Sequence, residues 1–117
     1  MFVSVLARRL KPGKTYEDFV RAWYPEKGFG IEVRGPILAR DIADERTIIA
    51  IAYFDLPSRG AVEEVLERVG AQEAVRHDRI EEVIESTSLR GIFEVDEEFD
   101  YSSDETVAAG RPPYLDR

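Results

Sequence analysis

The chain of 117 residues carries 24 acidic and 16 basic side chains, one His, one Trp and no Cys. That length fits a single domain, and an apolar share of 44% is that of a globular chain and excludes wholesale disorder. The missing cysteines exclude disulfides, thiolate metal sites and a thiol nucleophile.

Residues 1–40 hold eight basic groups against four acidic, whereas residues 91–117 hold two basic and eight acidic. A net charge of −8 repels phosphate backbones and anionic headgroups, so neither nucleic acid nor membrane is an expected partner. No apolar run approaches the ~18 residues of a membrane span. The opening FVSVLA has its arginines behind it, unlike a signal peptide, so a cytoplasmic protein is expected.

Residues 2–10 are rich in β-branched side chains and end at Lys11-Pro12-Gly13-Lys14, a strand followed by a turn. Thr15 is an expected N-cap with Asp18 beside it, and Tyr16, Phe19, Val20 and Trp23 fall at helical spacing. Pro25 and Gly28-Phe29-Gly30 end that helix. A strand over 31–42 is interrupted at Gly35-Pro36, which implies a bulge or an edge position. Residues 43–46 connect it to TIIAIAYF, residues 47–54, the strongest strand in the chain.

Ser58 caps a helix with Val62, Val65, Leu66 and Val69 inward. Gly70 is expected to break it, and residues 71–86 form a second helical piece with Ile80, Val83 and Ile84 inward. Residues 89–101 read as a long last strand, with Val95, Phe99 and Tyr101 on one side. Residues 102–117 are a polar tail, which leaves 1–101 as the domain.

The order is βαββαβ, an α+β ferredoxin-like unit with a four-stranded antiparallel sheet in the order 4-1-3-2. The first and third strands are apolar on both sides, as central strands covered on both faces must be. Right-handed crossovers place both helices on one face. The other face therefore calls for a second subunit. The long last strand is suited to reach that subunit, and its acidic row to meet Arg8, Arg9, Arg34 or Arg40 of either copy.

In element order, two-sided central strands and long last strand, residues 2–101 resemble the dimeric α/β-barrel superfamily, antibiotic-biosynthesis-monooxygenase-like group. The resemblance implies a homodimer with a cavity between the sheet and helices of each protomer. Its members include cofactor-free oxygenases, haem-degrading enzymes, lactone isomerases and proteins with no known activity, and the fold alone selects none of them.

Several motifs fall short. Lys27-Gly28-Phe29-Gly30 imitates an RNA-binding aromatic signature, but stands after the first helix instead of on the third strand. Asp96, Glu98 and Asp100 have the spacing of a calcium loop, but Tyr101 replaces its glycine and Val107 its final glutamate. No metal and no cofactor are expected. In the haem-degrading branch the His is paired with an Asn on the first strand. Here Ser4 is on that strand and the sole Trp is on the first helix.

His77 is the one side chain whose ordinary titration lies near neutrality, and is the candidate proton-transfer group. Tyr53 and Tyr24 are candidate hydrogen-bond donors, and Trp23, Phe29 and Ser4 candidate ligand-binding residues; for Trp23 and Tyr53 core packing is the competing role. The reading is a dimeric protein that binds a small apolar organic molecule, as a cofactor-independent monooxygenase-like or isomerase-like enzyme. The alternative is a non-catalytic ligand-binding or dimerisation module.

Overall fold

The computed structural model describes residues 1–24 and 33–98. Its elements are β1 (Phe2–Leu10), α1 (Tyr16–Trp23), β2 (Arg34–Arg40), β3 (Thr47–Phe54), α2 (Arg59–Glu81) and β4 (Ile84–Glu94). The strands pair antiparallel in the order β2-β3-β1-β4, which is the ferredoxin-like 4-1-3-2 counted from the other edge. The two strands that are apolar on both sides, β1 and β3, are the central pair.

Residues directly opposite one another in a ladder share a face. One face therefore carries Ser4, Leu6 and Arg8 of β1 with Ala52, Ala50 and Ile48 of β3. Ile92 and Arg90 of β4 lie opposite Ser4 and Leu6 on that face, and Leu38 of β2 lies opposite Ala50. The helices pack here. Leu10, Phe19, Ala22, Ile48, Ile80, Val83 and Ile84 form one buried cluster, with Tyr16, Trp23 and Leu38 against it.

The other face carries Val3, Val5, Ala7, Ile37, Ile49, Ile51, Tyr53, Leu89 and Phe93. None of these side chains is buried, and Ile37, Leu89 and Phe93 are about half exposed. A row of apolar side chains thus lies bare along all four strands.

Local chemistry explains most element ends. Thr15 and Asp18 form a reciprocal cap on α1: the Asp18 amide donates to Thr15 Oγ1 at 3.2 Å, and the Thr15 amide donates to Asp18 Oδ2 at 2.9 Å. Ser58 Oγ accepts from the Ala61 amide at 3.2 Å and starts α2. β2 is an edge strand whose register slips between Arg34 and Ile37, at Gly35 and Pro36. Gly35 has φ +95°, and a Cβ there would stand 3.2 Å from the Ile51 carbonyl oxygen, so glycine is required at this bulge.

Three expectations need correction. Gly70 does not break the helix: α2 runs unbroken through it for 23 residues, anchored by buried Val62 and Val69 before it and Ile80 after it. A single exposed glycine costs a helix only ~1 kcal/mol, less than such burial returns. Leu66, expected inward, is exposed, because the buried line of α2 runs through Val62, Val69, Arg76 and Ile80. The last strand begins at Ile84, five residues earlier than expected, and ends at Glu94. Pairing of Ile84 with Leu10 and a bond from the Lys11 amide to the Val83 carbonyl at 3.0 Å pull this segment out of helix. Val95 still donates its amide to the Met1 carbonyl at 2.9 Å, while Phe99 and Tyr101 lie outside the described residues.

Candidate functional site

The helix-facing row of β1 reads Phe2, Ser4, Leu6, Arg8, Leu10. Its ends are buried, but Ser4 and Leu6 in the middle are only half-buried, as are Ala52 and Ile92 beside them. Small side chains at Ser4, Ala50 and Ala52 lower the floor at the centre of the sheet. The centre of this face is therefore partly open, and its Leu10 end is closed by the Leu10–Phe19–Ile80 cluster.

Arg8 lies at that closed end. Among the described residues only two polar or charged side chains are buried, Arg8 and Arg76, each 7% exposed. They are held very differently. Arg76, on α2, donates its Nε to the Trp23 carbonyl at 2.7 Å and an η nitrogen to Glu73 at 2.7 Å. Its guanidinium also stacks 5.1 Å from the Trp23 ring centre. Cations at the carbonyl end of α1 are favourable against its dipole, and Arg79 adds a second, donating to the Tyr24 carbonyl at 3.4 Å.

Arg8 has no ion pair among the described residues, and one of its η nitrogens is fully buried with no hydrogen-bond partner. Burial depresses the Arg8 pKa below its ordinary value; Arg90 and Arg76 push it the same way, while Glu73 and Glu81 oppose them. Arg90 reaches this field from β4, where it is opposite Leu6 and exposed to solvent. Burial likewise lowers the Arg76 pKa, with Glu73 opposing and Arg79 adding to the fall.

His77 is half-buried, between the buried Arg76 and Ile80 in the sequence of α2. Its Nε2 lies 3.3 Å from Glu81 one turn on. Trp23 and Ser4 both lie on the helix side of the sheet. Tyr53 does not: it is on the bare face, paired with Val3 and Arg34, with the Arg34 guanidinium 4.7 Å from its ring centre. Tyr24, 65% exposed, follows α1 and presents its carbonyl to Arg79. Phe29 lies outside the described residues, as does Lys27-Gly28-Phe29-Gly30 as a whole and Asp100 of the acidic row. The fold thus brings Ser4, Trp23 and His77 to one side of the sheet and leaves Tyr53 on the other.

The two buried arginines were missed in the sequence, although each leaves a signal. Arg8 continues the alternation Phe2, Ser4, Leu6, and Arg76 occupies an inward step of the line Val62, Val69, Ile80. A separate depression of about 520 Å³ lies at the β2–β3 hairpin, lined by Tyr16, Leu38, Arg40, Asp41, Ile42 and Glu45. None of the expected site residues among those described borders it. Among the described residues no three His, Asp or Glu side chains converge as a metal site would require, and no helix is long and apolar enough to cross a membrane.

Two solved structures share this architecture. An uncharacterized NIPSNAP domain protein from Burkholderia xenovorans superposes with a TM-score of 0.61 at 17% identity, over 82% of this chain and 95% of that one. A protein assigned as an antibiotic biosynthesis monooxygenase, from Chloroflexus aurantiacus J-10-fl, gives 0.56 at 13% identity, over 85% and 96%. Both likenesses span nearly the whole of the other chain, and at these identities they define the fold: a ferredoxin-like α/β unit of the kind the sequence resembles. No family model and no curated protein matches the sequence.

Proposed function

We propose that the protein is a homodimer that binds a small organic molecule in the groove between its sheet and helices. The observation that carries this is the half-buried centre of β1: Ser4 and Leu6 share the face on which the helices pack yet remain partly exposed. Leu6, Ile92 and Trp23 would meet the apolar body of the ligand. The similarity to a protein assigned as a monooxygenase supports a cofactor-independent, monooxygenase-like or isomerase-like activity, with His77 exchanging the proton. Domain boundaries at residues 1–101, with a separate polar tail, belong to the same proposal.

A second reading, a ligand-binding module without turnover, is favoured by one observation. Tyr53 is on the opposite face of the sheet and Tyr24 is exposed, so neither joins His77 at the groove. The two readings part on whether a bound compound is recovered unchanged.

Groove binding is tested by thermal unfolding with 1-octanol and octanoate. A ligand that binds only the folded state raises the melting temperature with concentration. At least one probe is expected to raise it, and Ser4→Leu, which fills the groove floor, is expected to abolish the rise while the variant still melts cooperatively. No rise with either probe, or an equal rise in Ser4→Leu, would contradict the proposal.

A further inference from the structure

We infer that Arg8 is the floor of an anion site, and that the molecule taken by the groove carries a single carboxylate group. This deepens the groove-binding reading and rests on it.

A guanidinium presents five donors and stays charged at neutral pH. Burying it without a partner costs several kcal/mol, so buried arginines are almost always paired. Arg8 is buried to 93% of its surface, yet one of its η nitrogens has no acceptor and no carboxylate of the described residues pairs with it. Its neighbours do not relieve it. Glu73 is engaged by Arg76, Glu81 by His77, and Arg90, the charge that acts on it most strongly, is another cation. Among the described residues, an acceptor is what this position lacks.

The approach is built to the same end. Arg90 stands exposed at the β4 side of the groove with no ion pair among the described residues, where it attracts an anion before Arg8 binds it. Ser4, two residues from Leu6 on the same row, adds a neutral donor along the path. The charge count favours one negative charge. With Arg76 neutralised by Glu73, a single buried cation among the described residues remains to be matched, and a dianionic phosphate would overshoot it in a protein already at −8. A guanidinium and a carboxylate also share the planar two-point geometry that makes such pairs strong.

The sole tryptophan, Trp23, lies against Arg76 and reports on this region by its fluorescence. Titrations with octanoate, 1-octanol and octyl phosphate share one apolar body and differ only in head group. Octanoate is expected to bind at least tenfold more tightly than 1-octanol and more tightly than octyl phosphate. Arg90→Gln, at an exposed position, should lower the octanoate preference several-fold. Arg8→Met, an apolar replacement of similar length, should remove it while leaving 1-octanol binding intact. Equal affinity for octanoate and 1-octanol would overturn the anion site and leave the groove standing; binding of none of the three would overturn both. A retained carboxylate preference in Arg8→Met, or a tighter octyl phosphate, would also overturn the assignment. Should Arg8→Met fail to fold, an unchanged preference in Arg90→Gln decides against the site.

Discussion

At the residue scale, the chain contrasts a satisfied charge with an unsatisfied one. Asp18 accepts from the Thr15 amide and hydroxyl, and these bonds hold its carboxyl below the usual carboxylate range. A depressed native pKa adds stability above the unfolded value of ~3.9, and this is lost as pH falls through the lower native value. Asp18→Ala should therefore lower the urea midpoint at neutral pH, with the gap to wild type narrowing as the pH falls below ~4. A gap independent of pH would show that the cap, not its ionisation, matters. This cap was legible in the sequence because its two partners are three residues apart. Arg8 was not, because its burial depends on the helix layer that arrives after residue 59, and an arginine in a strand reads as solvated until that layer is placed.

Elements were legible where local rules and packing agree. Central strands, apolar on both sides, and the edge strand with its Gly35-Pro36 bulge could be read directly. The same two-sidedness hid the face of Tyr53, since a strand apolar on both sides has no intrinsic inside; only the register with β1 and β2 decides it. The α2–β4 boundary failed for a related reason. Val83 and Ile84 are buried as expected, but by pairing with β1 rather than by continuing the helical stripe. Gly70 lies inside α2, exposed and with open space where a Cβ would stand. Gly70→Ala should thus stabilise the protein by ~0.5–1 kcal/mol in urea unfolding, with no effect on ligand binding. Destabilisation would mean that the helix is not continuous there.

At the scale of the whole molecule, the two sheet faces have different fates. One is packed against α1 and α2 and carries the buried Arg8. The other offers Ile37, Ile49, Ile51, Leu89 and Phe93 to solvent, and burying each fully would contribute ~1.5–3 kcal/mol. A second copy can cover that face without obstructing the groove, because Arg8, Ser4 and Trp23 are on the far side of the sheet. The acidic end was expected to help through Arg8, Arg9, Arg34 and Arg40, of which the last three have neighbours within the chain. Arg9 pairs with Asp44 and Glu85 at 3.2 and 3.3 Å, and Arg34 and Arg40 stack on Tyr53 and Tyr16. In the proposed dimer, apolar burial across the bare face, centred on Ile51, would carry the association.

Light scattering on the eluting protein at micromolar concentration, with wild type beside Ile51→Lys, tests this most directly. The account predicts a wild-type mass of twice 13.3 kDa and a folded Ile51→Lys variant at 13.3 kDa; a wild-type protein that elutes as a stable 13.3 kDa monomer would contradict it.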